Sequence, residues 1–452
     1  MYHDGEASRK SEVTSIAWKR RLDKNVPLFV NRVAEQNGIQ VKPEYLSMGS
    51  YNCCYKVKAK GFHTVFRFPI LGKSAFRYEK SNDEFAAMAY ISRHTSIPTP
   101  EIIAIESSDL GPFIIMSFVE GTLLSDHLQA SSDPKATTIL NPDINIRVLT
   151  KAYNSMAGIL IRLSKCQFTH IGGVVRAESN DWHVAKRPVT VNMNQLVSFG
   201  NYPPNAFPPR DSVFSTANDY FAALAEAHVI HLETQRNDAI DDEADCRRKY
   251  VARRLFLRIA RRFSTAYNHG PFPLYCDDLR PTNVIVGPDL DARGVIDWEY
   301  CYAAPAEMTY CSPWWLLLIH PEDWKGNLDS FLEQYLPRHE LFLQVLRNHE
   351  NQMIQQGDLS ESQRLSTGMA QSLHNGHFWF CLAATSSFRF DDIYWKFIDQ
   401  VHYGEFTSIE DRIALLSHKE LENLEPFIRL KVQQAEERKL DEHCTFHEMF
   451  IA

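Results

Sequence analysis

The sequence has no CxxC pair and no cysteine–histidine spacing suited to zinc; its nine cysteines are scattered, with Cys53 and Cys54 adjacent. A disulfide framework and a structural zinc site are therefore not indicated, and a reducing, cytoplasmic compartment is expected. Long apolar runs are also missing. The longest, Trp314 to Ile319, is far too short to cross a bilayer. The first 25 residues carry Arg9, Lys10, Lys19, Arg20, Arg21 and Lys24 but no apolar core of a signal peptide. Charge of one sign is scarce. A net charge of -8 over 452 residues gives no overall attraction to nucleic acid or to an anionic membrane, and neither is expected as a partner. The 18 histidines show no metal-ligand spacing, and no internal repeat stands out.

What is present is enough apolar residue, 44%, to build substantial cores. The length suits two to four domains or one large two-lobed unit. Residues 1–40 are polar and mixed, an N-terminal extension with a helix expected around 14–36. From Tyr45 to Ile70 the pattern is strand, turn at Gly49, strand, turn at Gly61, strand. Residues 81–93 are expected to form a helix, with Ser81 and Glu84 as a capping box. EIIAI and PFIIMSFVEG then flank a turn as an antiparallel pair. Residues 41–120 thus make a small β-rich lobe. From 121 to 452 the pattern is mainly helical, with helices expected at 146–166, 217–237 and 242–264. A loop-rich stretch is expected at 171–215, and breaks near Pro321, Pro337 and Gly376. The class is α+β.

The segment LYCDDLRPTNVIVGPDLDARGVIDWE, 274–299, holds the most chemistry. Asp278 stands five residues before Asn283, and Asp297 follows a second short apolar run. Strands at Val284–Val286 and Gly294–Ile296 would form a hairpin that brings all three into one cleft. A single Asp or Asn in a loop is most often a turn or cap residue. Together, the three match what phosphoryl transfer needs: a carboxylate near the attacking hydroxyl and two oxygen ligands for magnesium.

On these residues the chain resembles the aminoglycoside phosphotransferase family of the protein-kinase-like fold, and particularly its fungal-type branch. The resemblance is strongest over 41–120 and 265–315. It implies a two-lobed fold, a small β-rich N-lobe on a large helical C-lobe, and ATP-dependent O-phosphorylation of a small-molecule hydroxyl with Mg2+. It assigns Asp278 to orienting or deprotonating the hydroxyl, Asn283 to magnesium and the loop, and Asp297 to bridging metal and phosphates. GSYNCCYKV resembles the nucleotide-covering loop, with backbone N–H groups of Gly49, Ser50 and Tyr51 facing phosphate. It has one glycine and no GxGxxG set. Arg67, in VFRFP, stands where the family has lysine or arginine; it would pair with Glu84 and hold phosphate. The run 114–119 would contact adenine through its backbone. Cys276 replaces a histidine and is expected to be a packed thiol.

Other features have plainer readings. Asp277 is an exposed loop charge or a helper, and Glu299 has no settled role. Arg280 either contacts phosphate or forms a loop ion pair. The block RRKYVARRLFLRIARR, 247–262, is either a binding surface for nucleic acid or lipid or an amphipathic helix with paired arginines. The family resemblance puts an apolar helix around 310–324. Asp277, Glu299, Glu307 and Glu322 are the acids available for a cationic acceptor. A catalytically weak nucleotide-binding pseudokinase and a helical interaction protein are the alternatives to a kinase.

Overall fold

Alternation along three strands builds the first lobe of the computed structural model, which describes residues 1–35, 43–59, 62–131, 133 and 136–441. Helix α1 (Gly5–Glu35) leads into β1 (Pro43–Met48), β2 (Asn52–Ala59) and β3 (Phe62–Pro69). Helix α2 (Arg77–His94) follows, then β4 (Ile102–Ser108) and β5 (Gly111–Ser117). The five strands form one antiparallel sheet in the order β1-β2-β3-β5-β4. Phe66 and Phe68 of β3 join Trp18, Leu22, Val26 and Phe29 of α1 in a small core. Arg67 lies between them and so faces the other side, towards α2. The leading helix, expected within a separate extension, therefore closes one face of the sheet. The turn expected at Gly61 lies outside the described residues.

The helix expected at 81–93 begins four residues earlier, at Arg77. Arg77 is buried and donates to the carbonyls of Pro69 (3.0 Å) and Leu110, which pins the first turn. Phe76 precedes it at φ 51 without a side-chain cap. Ser81 is consequently inside the helix, its hydroxyl buried without a partner, and the expected Ser81–Glu84 capping box does not form.

The second lobe runs β6 (Thr122–Leu123), α3 (Ile146–Ser164), β7 (Gln167–Phe168), β8 (Gly173–Arg176), β9 (Trp182–Lys186), α4 (Val191–Phe199), α5 (Ala217–Thr234) and α6 (Glu243–Ala260). Then come β10 (Phe272–Cys276), β11 (Val284–Val286), β12 (Ala292–Val295) and β13 (Cys301–Ala303). Helices α7 (Ala306–Thr309), α8 (Leu328–Gln356), α9 (Leu365–Ser372) and α10 (His377–Thr385) follow, with α11 (Phe390–Ile393), α12 (Asp399–Tyr403), α13 (Ile409–Ile413) and α14 (His418–Glu437) closing the described chain. The apolar stripe of α3, including Leu149, Ala152, Met156 and Ile159, is buried in the main core.

The stretch 171–215 is loop-rich as expected, and its loops connect the β8–β9 hairpin and α4. Two expectations for this lobe need correction. Pro337 does not break the chain; it lies inside α8, where the burial of Phe331, Tyr335 and Phe342 carries the helix through the missing N–H. No apolar helix forms at 310–324. Pro313 and Pro321 bracket two short 3-10 turns, Trp314–Leu317 and Pro321–Asp323, and Leu318 between them takes φ 63.

The lobes join closely. The Val295 N–H donates to the Pro98 carbonyl at 2.7 Å. Gly121 crosses β11 at φ +149, where an added Cβ would sit 2.5 Å from the Val286 carbonyl oxygen, so only glycine fits. This bilobal α+β arrangement, β-rich first and helical second, is a protein-kinase-like fold. Among the described residues no helix is long and apolar enough to cross a membrane.

Candidate active site

β10 ends at Cys276, and the chain turns through 277–283 before pairing again. β11 and β12 form an antiparallel hairpin, with Val284 opposite Val295 and Ile285 opposite Gly294. Ile296 N–H donates to the Asn283 carbonyl at 2.9 Å, which ties the two ends of the hairpin. The Asn283 side-chain amide donates to the Asp278 carbonyl at 2.7 Å and lies 3.4 Å from its Oδ2. Asn283 Oδ1 is left for another partner. Asp297 follows β12 in the left-handed region, φ 64, a conformation that costs a non-glycine residue about 1–3 kcal/mol. Trp298 holds that turn: its ring is fully buried and its indole N–H donates to Val295 O at 2.9 Å. Asp278, Asn283 and Asp297 all line one cleft of about 600 Å3.

The first lobe brings the opposing charges. Arg67 Nη1 donates to Glu84 at 2.6 Å, while Nη2 contacts Asp297 and lies 3.2 Å from Glu299. Arg67 Nε is buried without a hydrogen-bond partner. Lys80, fully buried on the same helix as Glu84, pairs with Glu299. Asn52 donates to the same Glu299 oxygen at 2.8 Å, and Ser74 lies 3.2 Å from Lys80 Nζ. Two cations thus face three carboxylates in a buried cluster that spans both lobes.

The Gly49 loop forms the cleft's roof, and Gly49, Ser50 and Tyr51 all line it. The Gly49 N–H is spent inside the hairpin, donating to the Asn52 carbonyl at 2.9 Å, so it does not face a ligand. Tyr51 packs edge-on against Tyr300, with ring centroids 6.0 Å apart. The run 114–119 is not among the residues lining this cleft, and the N–H groups of Ser117 and Phe118 are taken by the carbonyls of Glu101 and His63.

Burial sets the acid–base character of the loop. It pushes the Asp278 carboxyl up to about 7, against the pull of Arg280, whose Nε sits 3.0 Å from Asp278 Oδ1. Arg280 therefore pairs with the loop carboxylate. Asp277 is raised to about 7, again by burial. It is half-buried, not an exposed charge: it accepts from the Val191 N–H at the start of α4 (3.1 Å) and from Tyr302 Oη (3.0 Å). Burial raises Asp297 above the ordinary carboxylate range, opposed by Arg67. It raises Glu84 to about 7, with Arg67 again opposing. Glu299 differs. Burial, the largest influence, pushes it up, but Lys80 and Arg67 together hold it below its usual value. Cys276 is buried opposite Cys301, donates to the Glu299 carbonyl at 3.6 Å, and has its thiol pushed well up by its contact with Cys301 and by burial. It is a packed thiol with no nucleophilic character.

Sequence reasoning missed Lys80, Asn52 and the anchoring role of Asp277. Lys80 had a signal: it stands four residues before Glu84, one helical turn away on the same face. Of the four acids considered for an acceptor, Asp277, Glu299 and Glu322 line the cleft and Glu307 does not; its carboxylate accepts from Ser264. Among the described residues no group of three or more His, Cys, Asp or Glu side chains is arranged to hold a metal ion. A magnesium nucleotide asks for less from the protein, because phosphate oxygens and waters complete its shell. The free Asn283 Oδ1, the Asp297 carboxylate and the unpartnered Arg67 Nε fit that demand.

No protein-family model matches the chain, and no curated protein matches it. Among solved structures it is similar to an aminoglycoside phosphotransferase, APH(4)-Ia, in a ternary complex with AMP-PNP and hygromycin B: 16% identity, 82% of this chain and 99% of that one, TM-score 0.44. It is also similar to choline kinase LicA from Streptococcus pneumoniae, at 11% identity, 89% and 98% coverage and TM-score 0.41. A macrolide 2'-phosphotransferase type I matches at 12% identity, 84% and 96% coverage and TM-score 0.40. At these levels the functional reading rests on the geometry of the site itself.

Proposed function

We propose that the chain is an ATP-dependent phosphotransferase acting on a hydroxyl of a small molecule, of the aminoglycoside phosphotransferase and choline kinase kind and of its fungal-type branch. The observation that carries this reading is a convergence. Asp278, Asn283 and Asp297, delivered by one loop and one hairpin, meet Arg67 from the other lobe in a single cleft. Bound magnesium ATP supplies the phosphoryl group and neutralises part of its charge. Asn283 Oδ1 and Asp297, the latter now on Arg67, are the groups that would hold Mg2+. Arg67 turns its unpartnered Nε to phosphate and keeps Glu84 on Nη1. Ser50 and Tyr51 cover the phosphates from the roof, while Gly49 shapes the turn. Asp278 orients the acceptor hydroxyl and receives its proton; a carboxyl group with a pKa near 7 is suited to that exchange. Lys80 and Asn52 fix Glu299, and through it the strained turn that presents Asp297. The described cysteines are all free thiols, in keeping with a cytoplasmic setting.

The test pairs two measurements. Calorimetry is expected to detect ATP binding that requires Mg2+ and weakens in Asp297→Ala. Label from γ-labelled ATP is expected to reach a small-molecule acceptor with wild type and not with Asp278→Asn. A second reading, a nucleotide-binding pseudokinase, is favoured by one specific observation: Asp278 is paired with Arg280 and Asp297 with Arg67. Magnesium-dependent ATP binding without turnover across a broad acceptor panel would select it.

A further inference from the structure

The cleft does not end at Asp278. Its lining continues past Tyr275 and Cys381 into an interior walled by Leu160 and Leu163 of α3, Met308 of α7, Leu365 and Met369 of α9, and Phe378 of α10. All of these but Leu160 are 5% exposed or less and belong to the main core. The charged residues of the lining lie elsewhere, on Arg67 and on the segments 277–280, 297–299 and 320–323. None lies on α3, α7, α9 or α10. A second, separate cavity of about 30 Å3 shares Ser164, Thr309 and Leu365 with the lining of this inner arm and reaches Lys165, Gln167 and Tyr267.

This division of lining has a chemical consequence. Space walled mainly by Leu, Met and Phe offers water few hydrogen-bond partners beyond the hydroxyls of Ser164 and Thr309, and leaving it empty forfeits dispersion contacts. A polyamine placed there would bury ammonium groups with no carboxylate lining the arm to pair with, and a sugar would bury more hydroxyls than those of Ser164 and Thr309, whose Oγ1 is buried without a partner, can satisfy. A hydrocarbon would fill it and release water. Met308 and Met369, unbranched and adaptable, suit a wall that must fit a chain.

The geometry points to an acceptor of a definite class: an alcohol whose hydroxyl sits at Asp278 and whose body is an apolar chain lying in the inner arm. This names the acceptor of the transfer proposed above and rests on that reading. In the step, the alcohol oxygen bonds to the γ-phosphorus of ATP and the bond from that phosphorus to the β,γ-bridging oxygen breaks. ADP leaves with the electron pair, and the hydroxyl proton passes to Asp278.

The experiment uses straight-chain primary alcohols from ethanol to decanol, with glycerol as the polar comparison. Binding is read without nucleotide in Asp278→Asn protein, by displacement of a fluorescent apolar dye. Transfer is read with wild type and γ-labelled ATP. Each added methylene is expected to tighten binding about four-fold until the arm is full. Met369→Trp, which fills the arm, is expected to weaken decanol binding at least ten-fold with Mg-ATP binding and melting temperature unchanged. Leu163→Phe, on another wall, is expected to act in the same direction and stands in if the first variant fails to fold. Affinity independent of chain length, glycerol bound as tightly as decanol, or indifference to both variants would overturn the inference. The two readings fail differently. Label reaching only polar acceptors removes the apolar arm and keeps the phosphotransferase. Chain-length-dependent binding with no labelled alcohol removes the acceptor role and counts against the phosphotransferase.

Discussion

Two groups of cations meet carboxylates in this molecule, and they are built differently. Along α6, acids on neighbouring elements take the arginines one by one. Arg253 pairs with Asp391 at 2.6 Å, Arg258 with Glu420 at 2.5 Å, Arg254 with Glu233 at 3.3 Å and Arg261 with Glu226 at 3.2 Å. Arg247 pairs with Glu425, and Arg248 lies 4.5 Å from the centroid of the Trp395 ring. The basic block is thus an amphipathic helix with most of its charges matched inside the chain. In the cleft, Arg67 and Lys80 face Glu84, Asp297 and Glu299, one carboxylate too many, and Arg67 keeps a buried N–H without a partner. Balanced charges are finished structure. Under the proposed function, the unbalanced charges and the orphaned donor would be completed by a cation and an anion together, which is what a metal–phosphate complex supplies.

Substitutions can break this comparison from either side. The largest effect is expected from Asp278→Asn, which should lower phosphoryl transfer about 10²–10⁴-fold while the melting temperature is kept, as read by initial rates and thermal denaturation. On α6, Arg253→Met should cost up to about 3–5 kcal/mol of stability in denaturant unfolding, because it leaves the Asp391 carboxylate with only the chain's amino group, 3.6 Å away, with activity per folded molecule unchanged. Asp297→Ala should weaken Mg-ATP binding at least ten-fold and leave ATP without Mg2+ nearly as before, measured by calorimetry.

Smaller effects follow. Asp277 is raised to about 7 in the folded chain, above the usual value near 3.9, so the native state binds its proton more tightly than the unfolded chain does. Its stabilisation is complete below about pH 4 and is lost as pH rises through about 7. Asp277→Asn should therefore flatten the fall in melting temperature between pH 5 and pH 8. The smallest effect is expected at the exposed end of α6: Arg261→Ala should change stability by less than about 0.5 kcal/mol.

Much of the framework was legible because it rests on local patterns. Strand alternation put Arg67 on the face opposite Phe66 and Phe68, and the β11–β12 hairpin followed from two short apolar runs around Gly287–Asp291. The α3 stripe was plain for the same reason. What escaped depends on partners far along the chain. Lys80 is defined by Glu299, 219 residues away, and Asp277 by Val191 and Tyr302. The start of α2 was misplaced because a buried arginine bonded to two carbonyls sets it, not a capping side chain. Pro337 looked like a break because the cost of a proline is local, whereas the packing that overrides it is not. The turns around Trp314 were obscured by six consecutive apolar residues, in which periodicity cannot distinguish a helix from a bracketed coil. The inner arm of the cleft was invisible for a simpler reason: its walls come from four helices, and each of its residues has the spacing of ordinary core.

The central claim is tested most directly by transfer of label from γ-labelled ATP, with Mg2+, to a panel of hydroxyl compounds that includes long-chain alcohols, comparing wild type with Asp278→Asn. The account predicts an O-phosphorylated product with wild type, none above background with the variant, and Mg-ATP binding by both. Absence of magnesium-dependent ATP binding in wild type, or equal labelling by the two proteins, would contradict it.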